Sequence, residues 1–206
     1  WSLTLFNMRY RNQLILTGMI NDVGAYTRTN IPNSFRKGIE LNGYWKPLQW
    51  FDASGNFSFS SNKVKNFNTY YDDYDNGGQQ QEFIKSGNIA LSPSVVSGYS
   101  VNIRPVQRLT INLSGKYVSR QYLDNTSKKE RSLNPYFQQD LRIGYEFNPK
   151  YMKSLELTGV LNNVFNNLYE PNGYTFSYYY GNKFYTENYY YPMAGINFLL
   201  AIKASF

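Results

Sequence analysis

Polar and apolar residues alternate along most of this chain with a period of two, the signature of strands with one oily and one wet face. The cleanest run is Phe137 to Phe147. Phe137, Leu141, Ile143, Tyr145 and Phe147 fall on one face, with Gln139 among them, and Gln138, Asp140, Arg142, Gly144 and Glu146 fall on the other. Leu109 to Tyr117 repeats it, with Leu109, Ile111, Leu113, Gly115 and Tyr117 set against Thr110, Asn112, Ser114 and Lys116. Phe35–Trp45, Phe51–Phe59, Val95–Ile103 and Leu155–Phe165 follow the same rule, Thr4–Leu16 follows it less cleanly, and Ala194–Phe206 closes the chain. No segment shows a helical period. The pattern predicts an all-β antiparallel meander of eight strands. At roughly 9–13 residues each they are longer than the 5–6 usual in soluble sheets and match the 9–11 of tilted membrane strands.

The connections sharpen the reading. Short turns at 46–50, 105–108 and 148–154 alternate with long stretches at 17–34, 62–94, 121–135 and 166–193. A transmembrane meander sorts its connections in this way, with short turns on the periplasmic side and long loops outside. The long stretches are rich in Asn, Tyr, Gly and Asp, as in Tyr70 to Gly78, and read as solvent-exposed loops. Pro93 is expected where a strand has already left the membrane, since Pro cannot donate to a central ladder. Aromatic belts mark the strand ends, with Trp45, Trp50 and Phe51 at one level and Tyr117, Tyr122 and Tyr136 at the other.

If the apolar faces touch lipid, then Arg36, Glu40, Asp52, Arg104, Lys116, Asp140, Arg142, Glu146 and Glu156 line a lumen. Burying that many charges in a dry core would cost several kcal/mol each, whereas a wet or plug-filled lumen tolerates them. A soluble barrel or sandwich uses the same alternation with the faces reversed. Strand length, loop sorting and the aromatic belts argue against it.

Composition adds exclusions. The 206 residues contain no Cys and no His, so disulfides, thiolate nucleophiles, zinc fingers, Ser-His-Asp triads and imidazole switches are all ruled out. No paired-carboxylate motif stands out, and an enzyme is not expected. The net charge is +7, but the Lys and Arg are scattered. Their densest group, Lys128-Lys129-Glu130-Arg131, reads as a solvated loop, so nucleic acid is not an expected partner. The longest aliphatic stretch, Phe198 to Ile202, is far short of the ~20 residues of a membrane helix. Trp1-Ser2-Leu3 already reads as strand with no secretory signal before it, so the native start is expected upstream.

Two stretches carry a resemblance. Ala194 to Phe206 ends in Phe with apolar residues at every second position back from it, like the terminal strand that outer-membrane barrels present to their assembly machinery. Phe198, Leu200, Ile202 and Phe206 are its signal residues. Leu157-Thr158-Gly159-Val160-Leu161-Asn162-Asn163-Val164-Phe165-Asn166-Asn167-Leu168-Tyr169, with Asn172-Gly173-Tyr174, resembles the penultimate strand of TonB-dependent outer-membrane receptors. Ser34 to Leu41, Gly115 to Val118 and Gln121 to Thr126 fit the same family. The resemblance implies that the whole chain, residues 1–206, is the last third of a 22-stranded, plugged barrel. It implies a Gram-negative outer-membrane receptor that imports a scarce ligand with TonB-supplied energy and carries no cofactor. The plug and its TonB-contacting box would lie upstream. Partners would be the TonB complex through that plug, the barrel-assembly machinery, outer-membrane lipids and a small-molecule ligand. No Gly-x-Asp-Pro-Glu stretch of the glycan-importing branch is present, which points to a siderophore, haem or vitamin. A complete eight-stranded barrel with a structural or small-ligand role is the alternative, since eight strands also close.

Candidate binding residues lie in the last long connection, above all Tyr178, Tyr179, Tyr180, Tyr185, Tyr189 and Tyr190, with Tyr174 and Phe176 beside them. Rigid amphipathic rings enclose flat ligands well, although interfacial Tyr is common anyway. Asp72, Asp73 and Asp75 fall short of the 6–8 oxygens a Ca²⁺ ion takes, so no metal site is expected. Arg36, Arg104, Lys116 and Arg142 are expected to pair with the inward acids.

Overall fold

The structure, a computed structural model, describes every residue except Asp22, Gly24 and Ala25. No helix forms among the described residues. Strands β1 (Ser2–Tyr10), β4 (Asn33–Leu48), β5 (Phe51–Asp73), β7 (Val95–Ile103), β8 (Leu109–Val118), β11 (Tyr136–Phe147), β12 (Ser154–Asn162) and β15 (Asn197–Ser205) pair in that order. Every one of these pairings is antiparallel. These are the eight strands of the meander, and the short turns at 49–50, 104–108 and 148–153 all lie at one end. β1 and β15 each pair on one side only, so the sheet is an open wall with two free edges.

The register sets the two faces. One outward row runs Ala53, Val101, Leu113, Leu141, Leu161, Phe198, and the row below it runs Phe51, Ile103, Ile111, Ile143, Gly159, Leu200. Nothing in the chain covers this face: Leu5, Phe198, Leu200, Ile202 and Phe206 are all more than two-thirds exposed. The soluble reading, which needs these side chains inside, is not what forms. The opposite face carries Asp52, Asn102, Asn112 and Arg142 in one row. Asn112 Nδ2 donates to Asn102 Oδ1 at 2.8 Å, and Asn102 Nδ2 and Arg104 Nη1 donate to Asp52 at 2.8 and 2.5 Å. The inward charges are thus partly paired as expected. Arg104 reaches Asp52 and Arg142 lies 3.7 Å from Glu156, but Arg36 donates to Ser92 Oγ instead. Among the described residues neither Arg36 nor Lys116 is ion-paired.

Two expectations are corrected. The N-terminal strand does not run to Leu16. β1 ends at Tyr10, the chain turns through Asn12 in the left-handed region (φ +55°), and β2 (Gln13–Ile20) starts a separate hairpin with β3 (Tyr26–Ile31). The long connections are not irregular loops either. β5 runs on to Asp73 and returns as β6 (Gln79–Asn88). β9 (Gln121–Tyr122) pairs β10 (Ser132–Leu133), and β13 (Asn172–Tyr180) pairs β14 (Lys183–Tyr191). The buried apolar core lies here and not in the wall: Ile15, Ile31, Val64, Phe67 and Ile89 form one cluster with Ile84 packed against it.

β5 explains how one strand serves both regions. Its buried positions are Asp52, Asn62 and Val64, then Phe67, Thr69, Tyr71 and Asp73. The buried set switches from even to odd at Asn66, whose φ of +52° is a left-handed kink that Asn tolerates. Below the kink the strand is wall, and above it the same strand is the spine of the loop layer.

Candidate functional site

The loop hairpins converge at the long-loop end. Near the tip of β5–β6, Asp73 Oδ1 accepts the backbone N–H groups of Asp75 and Asn76, both at 3.0 Å. Its Oδ2 accepts Asn76 Nδ2 and Gln80 Nε2 at 3.0 and 2.6 Å. These bonds, led by the Asn76 and Gln80 side chains, hold its carboxyl down at about 2. Asp75 accepts the N–H groups of Gly181 and Asn182 at 2.7 and 2.8 Å, tying the β13–β14 tip to the β5–β6 tip. Gly181 and Asn182 both have positive φ, as a two-residue hairpin turn requires. A short parallel pairing of Tyr178 and Tyr179 with Asp72 and Asp73 adds to the link. The acids are therefore acceptors in turn architecture, and no metal-holding group occurs among the described residues.

The six candidate tyrosines divide between faces. Tyr174 stacks on Tyr189 with ring centroids 4.8 Å apart, and Tyr178 stacks on Tyr185 at 5.5 Å. Glu187 sits between the stacks and accepts the hydroxyls of Tyr178 and Tyr189 at 2.8 and 2.5 Å, which raises both phenols. Tyr179 turns the other way and packs on Phe184 at 4.9 Å, Tyr190 pairs with Gly173 on that same reverse side, and Tyr180 ends β13 beside the tip. The structure thus gathers Tyr178, Tyr185 and Tyr189, not all six.

A cavity of about 450 Å³ opens between these hairpins, within the range of small-molecule pockets. It is lined by Leu16, Phe67, Tyr71, Leu123, Tyr174, Phe176 and Tyr189, with Asp72, Asp124 and Arg131 as its charged members. Of the six tyrosines only Tyr189 reaches it. Arg131 is the residue sequence reasoning missed: its run Lys128 to Arg131 reads as a solvated loop, yet Arg131 is 1 % exposed. Its Nη1 donates to Asp124 Oδ2 at 2.9 Å and Tyr71 Oη at 3.2 Å, and its guanidinium lies over the Tyr71 and Phe184 rings at 5.0 and 5.2 Å. Next to it Lys128 Nζ and Tyr71 Oη both donate to Glu82 Oε2 at 2.8 Å. Burial pushes the Tyr71 phenol up, against the pull of Arg131. The only hint in the sequence was an aromatic-rich neighbourhood 60 residues away, at Tyr71.

The Asn-rich stretch after β12 turns out to be a staple. Asn163, 2 % exposed with φ +53°, donates through Nδ2 to the Asn167 and Ala194 carbonyls at 2.8 and 3.2 Å. Its backbone N–H reaches Asp140 Oδ1, and its Oδ1 accepts the Asn167 N–H. Asn166, also left-handed, accepts the Ile196 N–H at 2.9 Å. The motif fixes the exit of β12 against β11 and the entry of β15. In β15 itself Phe198, Leu200 and Ile202 pair with Leu161, Gly159 and Leu157 on the outward face, and Phe206 is exposed at the end.

Comparison with known proteins agrees with this geometry. A family model described as TonB dependent receptor-like, beta-barrel, matches residues 1–164. No curated protein matches the chain. Among solved structures, the siderophore receptor PiuA from Acinetobacter baumannii superposes with a TM-score of 0.71 at 16 % identity, over 97 % of this chain and 25 % of its own. BauA, the ferric preacinetobactin receptor of the same organism, gives 0.64 at 15 % identity, over 99 % and 27 %. Fiu, the ferric-catecholate import receptor from E. coli K12, gives 0.62 at 15 % identity, over 97 % and 24 %. The chain spans about a quarter of the length of these structures. The likeness at such identities is one of fold. The family is one of outer-membrane receptors and transporters, not enzymes. With its open eight-strand wall, uncovered apolar face and folded hairpins at one end, the chain belongs to the TonB-dependent receptor-like β-barrel family.

Proposed function

We propose that the chain supplies part of the wall and the extracellular hairpins of an importer for a scarce ligand, with a siderophore favoured over haem or a vitamin. Energy would come from TonB through a plug outside these 206 residues. The observation that carries this reading is the loop layer. The β2–β3 and β5–β6 hairpins fold on a core of their own, Ile15 to Ile89, and with the Leu123–Arg131 segment and the β13–β14 hairpin they border an aromatic-lined cavity at the long-loop end. Hairpins that only capped a structural anchor would have no need to build such a space. PiuA, BauA and Fiu are receptors for siderophores or ferric chelates, which favours iron among the cargoes.

Phe198, Leu200, Ile202 and Phe206 serve in this reading as the lipid-facing residues the assembly machinery meets. Tyr178, Tyr185 and Tyr189 serve as the aromatic rim of the ligand path. The test is growth of a strain lacking the gene on a panel of ferric siderophores, haem or cobalamin as the limiting supply. The reading expects loss of growth on one of them, restored by the full gene and lost again without TonB. Undiminished uptake across the panel would contradict it.

A further inference from the structure

Arg131 leaves part of its hydrogen-bonding capacity unused. Nη1 is taken by Asp124 and Tyr71, but Nε and Nη2 are both buried without a partner. In a guanidinium these two nitrogens share one edge, the planar fork that fits the two oxygens of a carboxylate. Buried donors are almost always satisfied, and a charged group that is not calls for a physical reason. The guanidinium already has Asp124 on one edge and the rings of Tyr71 and Phe184 beside it. The side chain is also among those that line the 450 Å³ cavity.

The competing charges are spent elsewhere. Asp124 is held by Arg131 itself, Glu82 by Lys128 and Tyr71, and Asp72 by Gln79 Nε2 at 2.7 Å. The remaining walls are apolar or aromatic at Phe67, Leu123, Tyr174, Phe176 and Tyr189, with neutral polar side chains at Thr17, Thr69, Asn125, Thr175 and Ser177. Such a space favours a flat body and gives an anion one place to go.

We infer that the free edge of Arg131 is an anion-recognition point, and that the cavity takes a compact ligand with a carboxylate-type pair of oxygens on an aromatic body. The site rests on the reading of this cavity as ligand-accessible, and not on how the barrel is energised. A free aromatic acid and the aromatic acid arm of a larger chelator share this chemistry.

The experiment uses the full-length receptor in detergent, with benzoate as probe and benzamide as its uncharged isostere, followed by equilibrium dialysis. Benzoate should bind saturably and at least about tenfold more tightly than benzamide, the gap expected of a charge-assisted fork. R131K keeps the charge and the reach to Asp124 but loses the fork, so it should weaken benzoate about tenfold and leave benzamide unchanged. A90F places a ring in the cavity without touching the Arg131 pairings and should remove binding of both. Heat-modifiable gel mobility reports folding of each variant, and if R131K fails to fold, the benzoate-to-benzamide ratio and A90F decide. Equal affinity for the two probes, no saturable binding of either benzoate or a chelator that carries an aromatic acid, or R131K binding like wild type would overturn the proposal. Binding of a chelator that carries an aromatic acid, but not of benzoate, would overturn the free-acid form alone. The uptake panel, by contrast, tests the importer reading whatever these outcomes are.

Discussion

Tyr99 shows how one residue resolves a conflict on the lipid face. Gln139 lies in the outward set of β11, and the Tyr99 hydroxyl covers its amide oxygen at 2.6 Å. The ring reaches it by crossing Gly115, where an added Cβ would lie 2.4 Å from Tyr99 Cε1. Gly115 is therefore the slot that keeps a polar amide satisfied in an apolar setting. G115V should displace the ring and cost roughly 1–3 kcal/mol, read as a lower urea midpoint for unfolding in detergent. Unchanged stability would remove this role. Asn163 is a second such point, and N163A, which loses the side-chain bonds of the staple, should cost roughly 2–4 kcal/mol by the same assay. The Asn-rich motif was visible in the sequence, but its job was not, because its partners Asp140, Ala194 and Ile196 lie more than 20 residues away along the chain. Arg131 was misread for a similar reason: a charge in a Lys- and Glu-rich run looks solvated until the strand that buries it is in place.

At the level of elements, the alternation was legible wherever a strand is only wall. It failed where a strand changes partners. The kink at Asn66 shifts the buried set of β5 by one position, so its upper half shows no period continuous with the lower and reads as loop. The turn at Asn12 does the same to the first strand. Low aliphatic content also misled, because Tyr, Asn and Thr build the loop-layer hairpins. Those hairpins are joined at their tips through acids. D75A removes both bonds to the β13–β14 tip, so that hairpin should be cut by trypsin at Lys183 faster than in wild type. Equal cleavage rates would mean that the backbone pairing alone holds it. Asp73 sets a pH limit on the partner hairpin. Its carboxyl is depressed from 3.8 to about 2, so its contribution is present above about pH 4 and is lost as pH falls toward 2. Amide exchange at Asp75 and Asn76, corrected for intrinsic rates, should accelerate across that window and nowhere above it. Flat protection down to pH 2 would show that the turn does not depend on the charge.

The whole molecule has one feature that no single element explains: its apolar side is uncovered and its sheet has two unpaired edges. In lipid an unpaired strand edge is untenable, since nothing there satisfies the backbone. In the receptor account further strands stand between β1 and β15, and the solved structures the wall superposes on are about four times as long. An eight-strand barrel would join β1 to β15 directly. The intact mass of the native protein, extracted from outer membranes with detergent, separates these most directly. A mass several-fold above 24.1 kDa, with a plug domain ahead of Trp1, is what the receptor account predicts. A mass near that of this chain plus a signal peptide would contradict it and leave a small closed barrel.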